Sequence, residues 1–372
     1  MESNDRINAT LHSMAANGIG LLIACSNGLQ MPDRPDPVVY LCGYRSVGES
    51  FAVLCRSGSA KLIVSPAADA ERVAAWGSPG ASIATDDIVA ALGQESKGYN
   101  ANTGSVAIVG IDALPHGMAE QLLAIYEGAV LSFDDAFYKS NGRKTSAEIA
   151  RARRAAAIAE QGLERLLELA RPGIRECDLA VELNSHMKSQ GADDNFLMLC
   201  ASPHNPAVMP SSNRKIEAGD VLITELTPSY EGQFVQICRT VAIGPPRAEL
   251  PEKYDLVLRA MWAGIETIRP GIPMSQVCAA IDAVLVAAGY AEYCRPPHMR
   301  RRGHGLGSGS VAPGDVAANN DTILEEDMIF VVHPNQYLPE TGYLMCGEPV
   351  RVTATGAETL SRKTAALATL AP

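Results

Sequence analysis

The chain is short of several features that mark other classes of protein. Nowhere among its 372 residues is there the run of roughly 18 apolar residues that a membrane-spanning helix needs. Its nine cysteines are odd in number, scattered, and never spaced Cys-x-x-Cys. That argues against a disulfide framework or a zinc knuckle and fits thiols kept reduced. Positive charge is scarce, with 31 Lys and Arg against 42 Asp and Glu and a net charge of −11. Such a surface repels nucleic acid and anionic membranes, so a small-molecule substrate is the expected partner. No low-complexity tract interrupts the chain. The first residues, MESNDRINATLHSMAANG, lack the charged-then-apolar layout of a signal peptide, which makes the cytoplasm the expected compartment.

What is present reads as two domains. Residues 5–17 carry Ile7, Leu11 and Met14 at helical spacing. Four β-like runs follow, at Ile19–Cys25, Val38–Cys42, Phe51–Cys55 and Ala60–Val64, with turn residues such as Asn27-Gly28 and Ser57-Gly58 between them. Residues 30–37, QMPDRPDP, form a rigid exposed loop between the first two. Helix-compatible stretches alternate with a further strand, Val106–Ile111, so residues 1–140 are expected to form a small α/β domain on a mixed sheet. Polar residues 138–144 mark the boundary. Thr145 and Glu148 then have capping-box spacing, and a helix runs to Leu169 before Arg171-Pro172-Gly173 stops it. Residues 141–372 are the second domain.

That second domain is organised around residues 200–244. His204 sits in a polar, proline-rich loop. The apolar strand Val221–Leu226 carries an acid, Glu225, which costs several kcal/mol unless paired or liganded. After a turn at 228–232, a second strand over 233–244 has Cys238 near its middle. The surrounding pattern repeats. Arg171-Pro172-Gly173-Ile174 recurs 98 residues later as Arg269-Pro270-Gly271-Ile272. Each copy follows one helix and precedes a second that ends at a glycine, Gly191 or Gly289. Each then reaches a loop histidine, His204 or His304, and an acidic turn into a strand, Gly219-Asp220-Val221 or Glu326-Asp327-Met328. Two halves related by a pseudo-twofold are implied, with a site between them that brings His204, Glu225 and Cys238 to face His304, His333 and Glu348.

This order of elements, with Arg143-Lys144-Thr145, Glu148 and Arg151 opening the second domain, resembles the pita-bread fold of creatinase, prolidase, aminopeptidase P and methionine aminopeptidase. The resemblance covers nearly the whole chain. It implies an α/β (α+β) protein, with an N-terminal creatinase-like α/β domain followed by a pita-bread catalytic domain of two pseudo-twofold-related halves. It also implies a homodimer, with the loop 30–37 reaching the partner's site. Metal-dependent members hold two cations with Asp, Asp, His, Glu and Glu. Those positions fall here on Glu225, Gln236, His304, His333 and Gly347. Only His304, in Gly303-His304-Gly305-Leu306-Gly307, is the expected residue. Neutral Gln236 and the missing carboxylates at 333 and 347 remove most of the charge that would hold two divalent cations. No metal or other cofactor is therefore expected. A single ion on His304, His333 and Glu225 is the competing arrangement.

Creatinase, the branch that works without metal, resembles the central stretch best. Its His-Asn-Pro, Asn-Arg and Gly-Asp are matched by His204-Asn205-Pro206, Asn213-Arg214 and Gly219-Asp220. The resemblance makes His204 the general acid/base, a task that suits an imidazole titrating near neutrality. The two glutamates that grip creatine's guanidinium fall on Cys238 and near residues 345–347, where Glu348 is the nearest acid, so creatine itself is not expected as substrate. The expected reaction is hydrolysis of a C–N bond in a small polar molecule of amide, cyclic amidine or ureido type. His304, His333, Glu225 and Glu348 would activate water or hold the substrate. Cys238 is a candidate nucleophile whose plainer role is a small buried filler, and Cys346 reads the same way. Arg214 and Arg300–Arg302 are candidate carboxylate binders. Gln236 and His298 complete the substrate-binding candidates. A lyase or isomerase on the same cleft, an Xaa-Pro peptidase with unusual metal ligands and a non-catalytic binding protein are the competing readings.

Overall fold

The computed structural model describes all residues except 1, 30, 31, 33, 34, 78, 79, 97–103, 309–311 and 372. Half of the loop 30–37 thus lies outside the described residues. The chain divides into two compact units, Met1–Thr145 and Ser146–Gly307 with Ala312–Pro372. No helix among the described residues is long and apolar enough to cross a membrane.

The first unit contains α1 (Glu2–Ala16), β1 (Ile19–Ser26), α2 (Pro37–Cys42), β2 (Ser50–Cys55), β3 (Ala60–Val64), α3 (Ala70–Trp76), β4 (Ala81–Ala84), α4 (Ile88–Glu95), β5 (Ser105–Val109), α5 (His116–Ile125) and α6 (Asp134–Ser140). The five strands form one mixed sheet in the order β4-β3-β2-β1-β5, parallel at β3–β4 and β1–β5 and antiparallel elsewhere. Strand alternation sends Leu22, Ala24 and Leu54 towards α1, α2 and α6, and Ile23, Phe51 and Val53 towards α4 and α5. Because both faces are covered, the central strands β1, β2 and β5 are largely apolar.

One expected strand is corrected. Val38–Cys42 lies in α2: the Asp36 carboxylate accepts from the Val38 and Val39 N–H groups, Pro37 opens the helix, and Gly43 at φ 67° ends it. A short apolar run fits a buried helix as well as a strand, and the cap decides.

The second unit contains α7 (Ser146–Leu169), α8 (Glu176–Ser189), β6 (Asp194–Ser202), β7 (Val221–Tyr230), β8 (Gln233–Phe234), β9 (Ile237–Ile243), α9 (Glu249–Thr267), α10 (Met274–Ala287), β10 (Gly303–Gly305), β11 (Ile329–Val332), β12 (Gln336–Leu338), β13 (Gly342–Leu344), β14 (Glu348–Val352), β15 (Ala357–Thr359) and β16 (Ala368–Leu370). One sheet runs β16-β9-β7-β6 with β8 on β7. A second runs β10-β11-β14-β15, and β12–β13 is a separate hairpin. The expected turn at 228–232 is shorter than the sequence suggested: β7 continues through Pro228 to Tyr230, and only Glu231-Gly232 turns.

The internal repeat is visible in the backbone. Gly173 N–H donates to Ile216 O, and Gly271 N–H donates to Leu324 O; both glycines sit at φ 91°. Gly219 N–H donates to Ile243 O, as Asp327 N–H does to Val352 O. Asp327, at φ 70°, is therefore the counterpart of Gly219 rather than of Asp220, one residue off the sequence match. In each half a helix glycine lets the second helix approach: a Cβ on Gly162 would stand 2.8 Å from Met187 Sδ, and one on Gly264 would stand 2.6 Å from Ile281 Cγ1.

Candidate active site

Two isolated backbone bridges join the halves of the second unit, Asn205 with Gly342 and Cys238 with Gly347, and the second is the one at the site. Cys238 on β9 and Gly347, just before β14, exchange N–H···O bonds of 3.2 and 3.1 Å. The candidate groups collect around this bridge. Glu225 on β7 pairs in register with Cys238. Gln236 Nε2 lies 3.4 Å from the Cys238 sulfur, and Asn335 Nδ2 lies 3.9 Å from it. His304, on β10, and His333, just after β11, pack edge to face with ring centroids 5.3 Å apart. His304 Nδ1 donates to Gly305 O at 3.0 Å, so in the neutral ring Nε2 carries the lone pair. The sequence placed His304 in a loop; it is a buried strand residue.

Electrostatics separate the roles. Burial pushes the His333 imidazole well below its ordinary value, and His304, Arg301 and Arg302 push it the same way, so it stays neutral. Burial pushes the Cys238 thiol well up and Glu225 adds to this, against weaker pulls from Gln236, Asn335 and Arg239. This direction favours a thiol over a thiolate, which suits the buried-filler role better than the nucleophile.

The other expected site residues have partners of their own. Glu348 follows Gly347, and strand alternation turns it to the opposite side. There it meets Arg239 at 2.9 Å and accepts from Ser361 Oγ and the Ala365 N–H. Cys346 is buried with its thiol at Val257 O, and burial raises its pKa. Arg214 grips Asp220 with two bonds of 2.5 and 3.0 Å, so the guanidinium is already matched to a carboxylate. Arg302 is 1% exposed and bonds Asp282, Pro334 O and Gln336 Oε1. His204 is exposed, donates from Nε2 to Pro339 O at 3.0 Å, and meets the Tyr337 ring edge-on. His298 stacks on the same Tyr337 ring at 5.5 Å and meets the Tyr293 ring at a tilt, 4.9 Å away.

Sequence reasoning missed two groups. Asn335 enters the site two residues after His333, a spacing that could have flagged it. Arg239 bonds the carbonyls of Cys238 and Gly347 at 2.9 and 2.8 Å, directly behind the bridge; nothing in its local sequence marks it.

This geometry bears on the ligand positions that the resemblance implies. A Cβ at Gly347 would stand 2.7 Å from His333 Cβ and 3.1 Å from both Cβ and Sγ of Cys238, so the backbone as it stands has no room for a carboxylate side chain there. Gln236 is neutral. Among the described residues, no group of three or more His, Cys, Asp or Glu side chains is placed to hold a metal ion. Positions 236 and 347 thus supply no carboxylate to a two-cation centre.

The paired helices, the two sheets joined at one bridge and the preceding α/β unit define a two-domain protein of pita-bread architecture. The sequence profile of metallopeptidase family M24 matches residues 150–354, more than half of the chain, and the chain belongs to that family. It is 34% identical over 225 residues to the uncharacterized peptidase YqhT of Bacillus subtilis (strain 168), an alignment spanning 59% of this chain and 62% of that one. It is 27% identical over 340 residues to an uncharacterized peptidase of Staphylococcus aureus (strain USA300), covering 88% and 92%. Among solved structures, the prolidase from Thermococcus sibiricus superposes with a TM-score of 0.84 at 24% identity, over 100% of both chains. The Xaa-Pro dipeptidase from Bacillus anthracis gives 0.82 at 23% identity, over 99% of this chain and 100% of that one.

Proposed function

We propose that this protein is a hydrolase that cleaves an amide C–N bond in a small polar molecule of dipeptide size or less, at the bridge between the two halves of its second unit. The observation that carries this reading is the buried pair His304–His333, whose rings lie 5.3 Å apart with His333 held neutral. Amide hydrolysis needs a base for the attacking water and a proton for the departing nitrogen. A neutral imidazole beside a second imidazole can exchange a proton in both directions. Glu225 supplies negative charge on the neighbouring strand, and the side-chain amides of Gln236 and Asn335 supply neutral donors.

Membership of a peptidase family, and the prolidase and Xaa-Pro dipeptidase named above, favour peptidase-type chemistry over the creatinase-like reaction suggested by the His204 loop. The packing around Gly347 favours a route without the two-cation centre. A second arrangement, one ion on His304, His333 and Glu225, is favoured by a single feature: the buried Nδ1 of His333 has no hydrogen-bond partner. A homodimer belongs to this reading and is checked by light scattering.

The test joins elemental analysis of the purified protein to assays on Xaa-Pro dipeptides and on small non-peptide amides. We expect turnover of an amide that survives a chelator, a large loss in His304→Ala and His333→Ala, and a smaller one in His204→Ala. One tightly held metal per chain, lost in His333→Ala, would replace this route with the single-ion arrangement. No turnover of any amide would remove the hydrolase reading.

A further inference from the structure

Two polar atoms beside the Cys238–Gly347 bridge are buried without a hydrogen-bond partner: Nδ1 of His333 and Oδ1 of Asn335. Their residues are 6% and 3% exposed. They share one neighbourhood. Asn335 turns its amino group to the Cys238 sulfur at 3.9 Å, and a Cβ on Gly347 would fall 2.7 Å from His333 Cβ and 3.1 Å from that same sulfur. A buried polar atom left unmatched costs about 1–3 kcal/mol, and native proteins keep few of them. Two such atoms two residues apart, both on residues beside the Cys238–Gly347 bridge, are the feature that a bound ligand could match.

The match is chemical. Asn335 Oδ1 can only accept a hydrogen bond, whereas a neutral imidazole can donate from Nδ1. An acceptor beside a donor is complementary to a group that presents an N–H and a carbonyl oxygen on one edge. A lactam and a ureide do this. An Xaa-Pro bond does not, because its nitrogen carries no hydrogen. Positions 236, 335 and 347 bear no carboxylate with which to clamp a guanidinium, and Glu225 is the one acid in register with Cys238.

We propose that Asn335 and His333 form a recognition site for an uncharged lactam or ureide group of the substrate, with Asn335 Oδ1 accepting from its N–H and His333 Nδ1 donating to its carbonyl oxygen. This narrows the substrate class of the hydrolase reading and rests on it. Asn335 is thereby a specificity-determining residue, and its neighbour His333 both binds and acts.

Binding is measured on the intact protein, apart from turnover, by calorimetry and thermal shift with 2-pyrrolidinone, N-carbamoylglycine and guanidinoacetate as probes. The two probes with a neutral binding group, the lactam of 2-pyrrolidinone and the ureide of N-carbamoylglycine, are expected to bind and to raise the melting temperature, and guanidinoacetate, with its cationic guanidinium, is not. Asn335→Leu, of similar volume and without polar atoms, is expected to weaken the neutral probes by about tenfold or more. Without a probe, its melting temperature should be unchanged or higher, because a buried unmatched group has been removed. Tighter binding of guanidinoacetate, unaltered binding of the neutral probes in Asn335→Leu, or a lower melting temperature for that variant without a probe would each overturn the proposal. Probe binding without turnover of any amide would instead remove the hydrolase reading and leave the recognition site standing.

Discussion

Arg239 and Glu348 form an ion pair at 2.9 Å with side chains 3% and 0% exposed, immediately behind the bridge that joins Cys238 to Gly347. Arg239 also bonds the carbonyls of both bridge residues, and Glu348 holds the segment at 361–365 through Ser361 and Ala365. The pair therefore locks the two halves in the register that sets His333 against Cys238. Removing one partner leaves the other charge buried and unmatched, which costs about 3–5 kcal/mol. Arg239→Met and Glu348→Gln are both expected to lose stability on that scale in urea unfolding. The double variant should recover part of it. Additive losses would show that the two charges are not coupled.

Asp134 gives the chain a pH dependence that lies outside the site. Burial raises its carboxyl from 3.8 to about 6; Asp112 and Asp135 push the same way, and the Gly110 N–H pulls against them. The native state thus holds a proton that the unfolded chain has already released. Stability from this group is full below the unfolded value of about 3.9 and is lost as pH rises through about 6. Asp134→Asn keeps an acceptor for Gly110 and removes the charge. It should raise stability by on the order of 1 kcal/mol above pH 7, allowing for partial solvent exposure, and by nothing near pH 4. Thermal melts across that range check it, and an equal gain at both ends would refute it.

How much was legible before the structure depended on whether a signal was periodic or three-dimensional. The repeat at Gly173 and Gly271 was plain because the same φ and the same backbone bond require glycine at both places. The strand carrying Glu225 was plain from its apolar run. The helix Pro37–Cys42 was not, because six apolar residues have no period to read and only the Asp36 cap settles it. Glu348 was chosen as the nearest acid to an implied position, but one residue along a strand reverses the side chain's direction. Arg302 reads in sequence as a carboxylate binder, and only the fold shows that the carboxylate beside it is Asp282 of the chain itself.

Gly347 makes the sharpest statement about metal. Restoring the implied carboxylates as Gln236→Asp with Gly347→Glu should not create a tight two-cation site, because the side chain at 347 would run into His333 and Cys238. Gly347→Ala alone is expected to cost about 1–3 kcal/mol through overpacking. The checks are metal content after dialysis against manganese and urea unfolding of both variants. Two ions per chain in the double variant, with native stability, would show that the backbone yields and that neutral residues at 236 and 347 are what keep the ions out.

Cys238 is a candidate nucleophile whose surroundings favour packing. A thiol with its pKa raised by burial and by Glu225 is protonated throughout the neutral range. The native protein should leave Cys238 unmodified by iodoacetamide while the part-exposed Cys55, Cys177 and Cys294 react, as read by peptide mass mapping. Cys238→Ala should retain hydrolytic turnover within about an order of magnitude and cost on the order of 1 kcal/mol, the loss of a small buried group. Cys238→Ser separates the two roles further. A hydroxyl preserves size and can still meet the Gln236 and Asn335 amides, so a packing residue tolerates it, whereas a thiol nucleophile replaced by a poorer one would lose nearly all turnover. Loss of activity in both variants with unchanged unfolding curves would return Cys238 to the chemistry.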